Sequence, residues 1–281
     1  MKSIMCCEQG YWRWCGFALF LLCVSHFSLD ETTHCAFEFR AIGAQAAGVG
    51  DVGVAHINGS EGLFWNPSAV VFGKPLGVFT AYDRPFGLSE LENQAVSAVV
   101  RWGRHGLGIT YEGFGFELYR EQVFGGVYGY RVSPRAGMGL RIRSMGLAVV
   151  GQRNRRWLGL DLGVRVLLSE SVGWGLAAWN ASGVRVGVLG QGGAMGLAVR
   201  LAETAHLFAS VQKEAGLPTG FGVGVQQDAT KILVLRVGIG TQPERFSAGF
   251  GLRRGWVETD YAAVWHAVLG LSHRVSLRFG R

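Results

Sequence analysis

The sequence predicts an all-β protein: a transmembrane antiparallel β-barrel of about 14 strands, with an N-terminal hatch lodged in its lumen. Two observations carry this reading. From Leu76 onward, segment after segment alternates apolar residues with glycine, serine and arginine, and a repeat of two is that of a strand with two unlike faces. Residues 43–68, by contrast, are so rich in glycine and alanine that they cannot bury a core of their own, so they have to be packed inside a container.

Composition narrows the class. The 281 residues suffice for one large all-β domain or two smaller ones. With 49% hydrophobic residues, 17% charged residues and 6 prolines, the chain does not resemble a disordered one. Its mean hydropathy of +0.22 is high for a soluble protein, yet no apolar run outside the leader reaches the roughly 18 residues of a membrane helix. Cys6, Cys7, Cys15, Cys23 and Cys35 all lie in the first 35 residues, which excludes a disulfide scaffold, a thiolate metal site and a cysteine nucleophile from the rest. The net charge is +7, and +8 over residues 36–281, because the leader carries Lys2 and Arg13 against Glu8, Asp30 and Glu31. Most cations are single arginines along strands rather than lysine tracts, so nucleic acid is not expected as a partner.

Lys2 and Arg13 precede the apolar run 15–24, which polar residues follow. This is the pattern of a signal peptide over residues 1–35, with cleavage after Ser25 or Cys35. The run is too short to anchor comfortably in a bilayer. Residues 36–75 form the hatch and 76–281 the barrel.

The candidate strands are 77–83, 94–102, 106–111, 119–130, 135–145, 156–168 and 172–179, then 194–201, 207–213, 220–226, 232–240, 246–253, 256–263 and 268–279. In 156–168, Leu158, Leu160, Leu162 and Val164 share one face, and Gly159, Asp161, Gly163 and Arg165 the other. A soluble sandwich has the same period with its apolar face turned inward. The leader favours the membrane instead. So does a second face of glycine, serine and arginine, where a water-facing surface would carry lysine and glutamate. Trp157, Trp174, Trp179, Trp256, Tyr261 and Trp265 lie near segment ends, where an aromatic girdle belongs. Closure of the barrel also removes every unpaired strand edge from lipid.

Residues 43–50 (Gly-Ala-Gln-Ala-Ala-Gly-Val-Gly), Val54-Ala55 and Phe64-Trp65-Asn66-Pro67-Ser68-Ala69 resemble the hatch signature of the FadL-type long-chain fatty-acid transporter superfamily, especially its PorV-like/UPF0164 branch. Asp260-Tyr261-Ala262, His266, Leu269-Gly270 and residues 272–277 are similar to the closing strands of that branch. Ser68 stands where the family has alanine, and Gly280 and Arg281 displace the terminal aromatic residue, Phe279. The resemblance implies an outer-membrane protein of a double-membraned bacterium, inserted by the barrel-assembly machinery and surrounded by outer-membrane lipid. It implies passive uptake of a hydrophobic ligand, first of all a long-chain fatty acid, without cofactor, metal or catalysis. The alternative it offers is a PorV-like barrel that anchors or shuttles surface or secreted proteins.

Particular residues carry particular expectations. Gly48 and Gly50 belong to a G-x-G-x-x-G string, but the glycine-broken stretch after it cannot form the helix of a dinucleotide site; they are read as hatch residues. Asn66 and Pro67 mark a turn into the first strand; the resemblance adds that they brace the hatch against the wall where ligand passes, and it places Trp65 among the hatch residues with them. Gly113 and Gly115 are expected at a strand irregularity. Among the lumen-side arginines, Arg141, Arg165 and Arg200 are candidates to hold a carboxylate through two parallel hydrogen bonds. The competing reading pairs the arginines with Asp161, Glu112, Glu117 and hatch carbonyls. His266 and His273, with Ser272 and Ser276, have no acidic partner placed for hydrolysis and no metal-ligand spacing.

Overall fold

The computed structural model describes residues 36–181 and 189–281; the leader lies outside them. Fourteen strands follow one another: β1 (Leu76–Arg84), β2 (Asn93–Trp102), β3 (His105–Gly115), β4 (Tyr119–Ser133), β5 (Ala136–Val149), β6 (Arg155–Leu167), β7 (Val172–Trp179), β8 (Gly192–Arg200), β9 (Ala205–Glu214), β10 (Gly220–Asp228), β11 (Leu233–Gly240), β12 (Arg245–Arg254), β13 (Val257–His266) and β14 (Gly270–Gly280). Each pairs antiparallel with its sequence neighbours, and β14 returns to β1, from Gly77 opposite Gly280 to Arg84 opposite His273, closing the barrel. The sequence places all of these segments. The largest extensions run from Tyr111 to Gly115 in β3 and from Met145 to Val149 in β5.

Alternation decides which way each side chain points. In β6, Gly159, Asp161, Gly163 and Arg165 are buried inward, while Leu158 and Leu162 face out, 67% and 45% exposed. Ile109, Phe124, Ile142, Phe221, Val237, Phe246 and Phe250 continue the outer belt on other strands. Apolar cover of that extent is unfavourable in water and suits hydrocarbon. Trp256 and Trp265 are exposed on the outside, as is Trp102. Trp157 and Trp179, expected in the girdle, point inward instead. The period requires it, since Trp157 lies two residues from inward Gly159 and Trp179 two from inward Ala177.

The ends of the barrel differ. At one end the connections are tight, as at Gly103-Arg104, Pro134-Arg135 and Gly255-Trp256; at the other they include residues 85–92 and 150–154. In outer-membrane barrels the short turns face the periplasm and the longer connections the exterior.

Residues 36–75 run through the bore, from Ala36, which bridges to Leu189 at the long-connection end, to Lys74, whose Nζ donates to the Gly280 carbonyl at the short-turn end. They include the short helices α1 (Ala44–Ala47) and α2 (Gly59–Gly62) and a 3₁₀ turn, Pro67–Val71. Where this backbone presses on the wall, the wall is glycine. A Cβ on Gly224 would stand 2.3 Å from the Val49 carbonyl oxygen, and one on Gly175 2.4 Å from that of Val54. Apolar contacts fill the remaining space: Leu63, Val70, Val71 and Phe72 meet Val99 and Val127, and Ala44 and Ala47 meet Ala262 and Val264. The hydrophobic core of the protein is therefore the inside of its barrel.

The irregularity expected at Gly113 and Gly115 is not there. The ladder from β3 to β4 runs unbroken through both residues, and that from β3 to β2 runs through Gly113 as far as Phe114. Gly113 faces outward, and its missing side chain makes room for the Tyr111 ring, whose hydroxyl would lie 3.0 Å from a Cβ at 113. Gly115 ends β3 with φ of 101°. A register shift occurs instead between Arg131 and Ser133, where β4 meets β5.

Candidate ligand-binding recesses around the inner segment

The inner segment is held by polar side chains of the wall. Asp51 Oδ1 accepts from Arg274 Nη1 at 2.7 Å, and Oδ2 lies 2.9 Å from Arg245 Nε. Burial alone would raise the Asp51 pKa, but the two guanidinium groups outweigh it and hold the carboxyl below its ordinary value. Glu61 is fully buried, with its nearest cation, Arg278 Nη1, at 3.5 Å. Burial outweighs that charge and pushes its pKa up to about 7. Ser247 Oγ accepts from the Gly50 amide at 3.0 Å, and Ser276 Oγ from the Ala44 amide at 3.2 Å.

Asn66 is the most heavily bonded residue of the segment. Its Nδ2 donates to the Val54 carbonyl at 3.0 Å and to those of Val164 and Leu176 in the wall at 3.1 and 3.3 Å. Its Oδ1 accepts from the Ser68 amide and hydroxyl, capping the 3₁₀ turn that Pro67 begins. Trp65 donates from Nε1 to the Ile42 carbonyl at 2.9 Å. Gly48 caps α1, and Gly50 (φ 81°) sits where a Cβ would be 2.4 Å from the Ile239 carbonyl oxygen.

At the long-connection end lies a recess of about 30 Å³, walled by aromatic rings and charge. Phe39 stacks on Trp179 at 4.5 Å and meets Trp65 edge-on at 5.3 Å, while Phe37 meets Trp157 edge-on at 5.8 Å. Beneath them Arg141 Nε donates to Asp161 Oδ2 at 2.8 Å and Nη1 to Glu112 Oε1 at 3.1 Å; Arg143 Nη2 lies 2.9 Å from Asp161 Oδ1. Phe37 and Phe39 thus fill an aromatic box at the mouth with apolar rings.

At the short-turn end a basin of about 410 Å³ opens between the segment and β6 to β10, and a second, of about 240 Å³, lies against β13 and β14. Gln45, His56, Asn58 and Gly73 line both. Arg165 and Arg200 line the larger one.

The structure therefore brings Trp65, Asn66 and Pro67 together with the wall, and sets Arg165 and Arg200 around one basin. Arg141 is at the other end, in an ion-pair network with Asp161 and Glu112. Arg165 donates to Asn58 Oδ1 and to the Ile57 carbonyl at 2.7 Å. Arg200 is exposed at the end of β8 and donates to the Glu170 carbonyl at 3.0 Å. Glu117, read as an ion-pair partner, is exposed in the turn after β3. Ser272 Oγ accepts from the Phe86 amide, and His273 Nδ1 lies 2.6 Å from the Tyr261 hydroxyl. Phe37, Phe39 and His56 were not legible as site residues. The signal available was Asp51 and Glu61, two acids in a stretch of glycine and alanine that faces a wall rich in arginine.

Compared with protein-family models and with curated proteins, the chain matches none. Its fold does match solved structures. A structure described as the CymD monoaromatic hydrocarbon channel superposes with a TM-score of 0.66 at 13% identity, covering 88% of this chain and 99% of that one. A Pseudomonas aeruginosa FadL homologue gives 0.62 at 10% identity, covering 87% and 99%. The P. putida toluene transporter TodX gives 0.60 at 11%, again covering 87% and 99%. The fold is that of these channels.

Proposed function

We propose that the protein is an outer-membrane channel through which hydrophobic small molecules, long-chain fatty acids foremost, diffuse passively into the periplasm. One observation carries the reading: a closed barrel with an apolar exterior is filled by its own N-terminal segment, with an aromatic box at the outer end and an open basin at the inner. A ligand enters by replacing the Phe37 and Phe39 rings in the box, passes along the segment, and leaves through the basin. The segment acts as a hatch because it is tethered by polar contacts that can be exchanged one at a time. The structural neighbours described as hydrocarbon and toluene channels support the same class of cargo.

The test is uptake in a Gram-negative host lacking its own fatty-acid channel, whose lipopolysaccharide leaflet otherwise excludes such solutes. Cells producing the full chain are expected to take up labelled oleate or toluene saturably. No increase for either, with the barrel correctly assembled, removes the reading. A stable protein partner recovered from detergent extracts, together with absent uptake, would favour the PorV-like anchoring role.

A further inference from the structure

Arg165 is a buried cation facing neutral partners. It is 2% exposed, and its donors go to the Asn58 side-chain oxygen and to the Ile57 and Val54 carbonyls, the last at 3.4 Å, while its Nε has no partner. Among the described residues, Arg141, Arg143, Arg236, Arg245, Arg274 and Arg278 each contact an aspartate or glutamate; for Arg165 no such contact occurs. A guanidinium withdrawn from water without a counter-charge is strongly disfavoured, and carbonyl dipoles offset part of that cost. An anion would complete it.

The space beside Arg165 is the larger basin, which Arg200 and His206 also line. His56 projects from the inner segment and stacks on Phe208 at 3.8 Å. Both its ring nitrogens are shut off from solvent and have no hydrogen-bond partner. Burial, then the charges of Arg165, Arg236, His206 and Arg278, hold its pKa well below the usual histidine value. The ring is neutral and has one N–H to donate. Phe72, Phe208 and Val199 add apolar surface. The acid on this wall, Glu170, is exposed, and its carbonyl receives Arg200.

We propose that this basin binds an organic carboxylate, its head set between Arg165 and His56 and its apolar body against Phe72 and Phe208. On the channel reading, on which this role rests, the basin is the last station before release, and it favours acids over neutral hydrocarbons.

The experiment is calorimetric titration of the purified full chain in neutral detergent with benzoate, toluene and inorganic phosphate. Wild type is expected to bind benzoate at least about tenfold more tightly than the other two, and Arg165→Gln and His56→Phe each to lose about tenfold. His56→Phe keeps a ring on Phe208 and breaks none of the hydrogen bonds that seat the segment, so it tests the site even if Arg165→Gln unseats it. Toluene or phosphate binding as tightly as benzoate overturns the proposal. So does benzoate binding that His56→Phe leaves unchanged. Intact oleate or toluene uptake with no benzoate binding discards the site and leaves the channel; benzoate binding with no uptake does the reverse.

Discussion

Gly163 of β6 stands where a Cβ would lie 2.1 Å from Asn66 Oδ1, and 2.8 Å from the Pro67 ring. Wall and segment meet there backbone to side chain, with no room to give. Gly163→Val is therefore expected to push Asn66 out of its hydrogen bonds, weakening the seat by about 1–3 kcal/mol as overpacking does. Limited proteolysis of residues 36–75 in the assembled barrel measures this: wild type should resist and the variant should be cut.

Asp51 neutralises two arginines at once. Asp51→Asn leaves Arg245 without its carboxylate and Arg274 with only Asp83, at 3.9 Å, and breaking a buried pair from one side costs about 3–5 kcal/mol. The segment should become accessible to protease while the barrel, held by its strand ladders, still migrates as a folded species on unheated gels. A protected segment in Asp51→Asn would show that the pair contributes little.

Glu61 makes the seat pH-dependent. Its pKa when seated, about 7, lies above the ordinary 4.5, so the seated form holds its proton more tightly than the released form. The stabilisation is complete below about 4.5 and is lost as pH rises through about 7. Arg278 and Arg236 oppose the shift, and Asp260 and Glu258 add to it. Proteolysis of the segment should speed up across that window in wild type and stay level in Glu61→Gln. Asp51, with its lowered pKa, acts in the opposite sense and in a separate, more acidic range.

Phe39 closes the outer box. Phe39→Ala removes a stacked ring and an edge contact, about 1 kcal/mol beyond the area lost, and should raise initial oleate uptake about fivefold. A rate equal to wild type would place the limiting step elsewhere, in the hatch or the basin.

The barrel was legible because its signal is repeated: each strand states its two faces several times, as Leu158 to Arg165 do in β6. The segment was legible by what it lacks, since alanine and glycine have nothing to bury alone. The inward turn of Trp157 and Trp179 follows from the same alternation, yet proximity to strand ends, a weaker cue, pointed to the girdle. His56 and Phe39 could not be found in advance, because their roles depend on which wall residues lie opposite. Sequence distance says nothing of that: Phe39 meets Trp179, and His56 meets Phe208.

The glycine columns of the wall have an electrical consequence. Because the backbone of the inner segment lies directly on Gly224, Gly175 and Gly139, it takes up the space along those strands that water and ions would otherwise follow. A hydrophobic solute can move by exchanging one side-chain contact for another, whereas a hydrated cation would have to shed its shell. In a planar bilayer under an applied voltage, the intact protein should pass no stepwise current, and Gly224→Val, by displacing Val49, should introduce one.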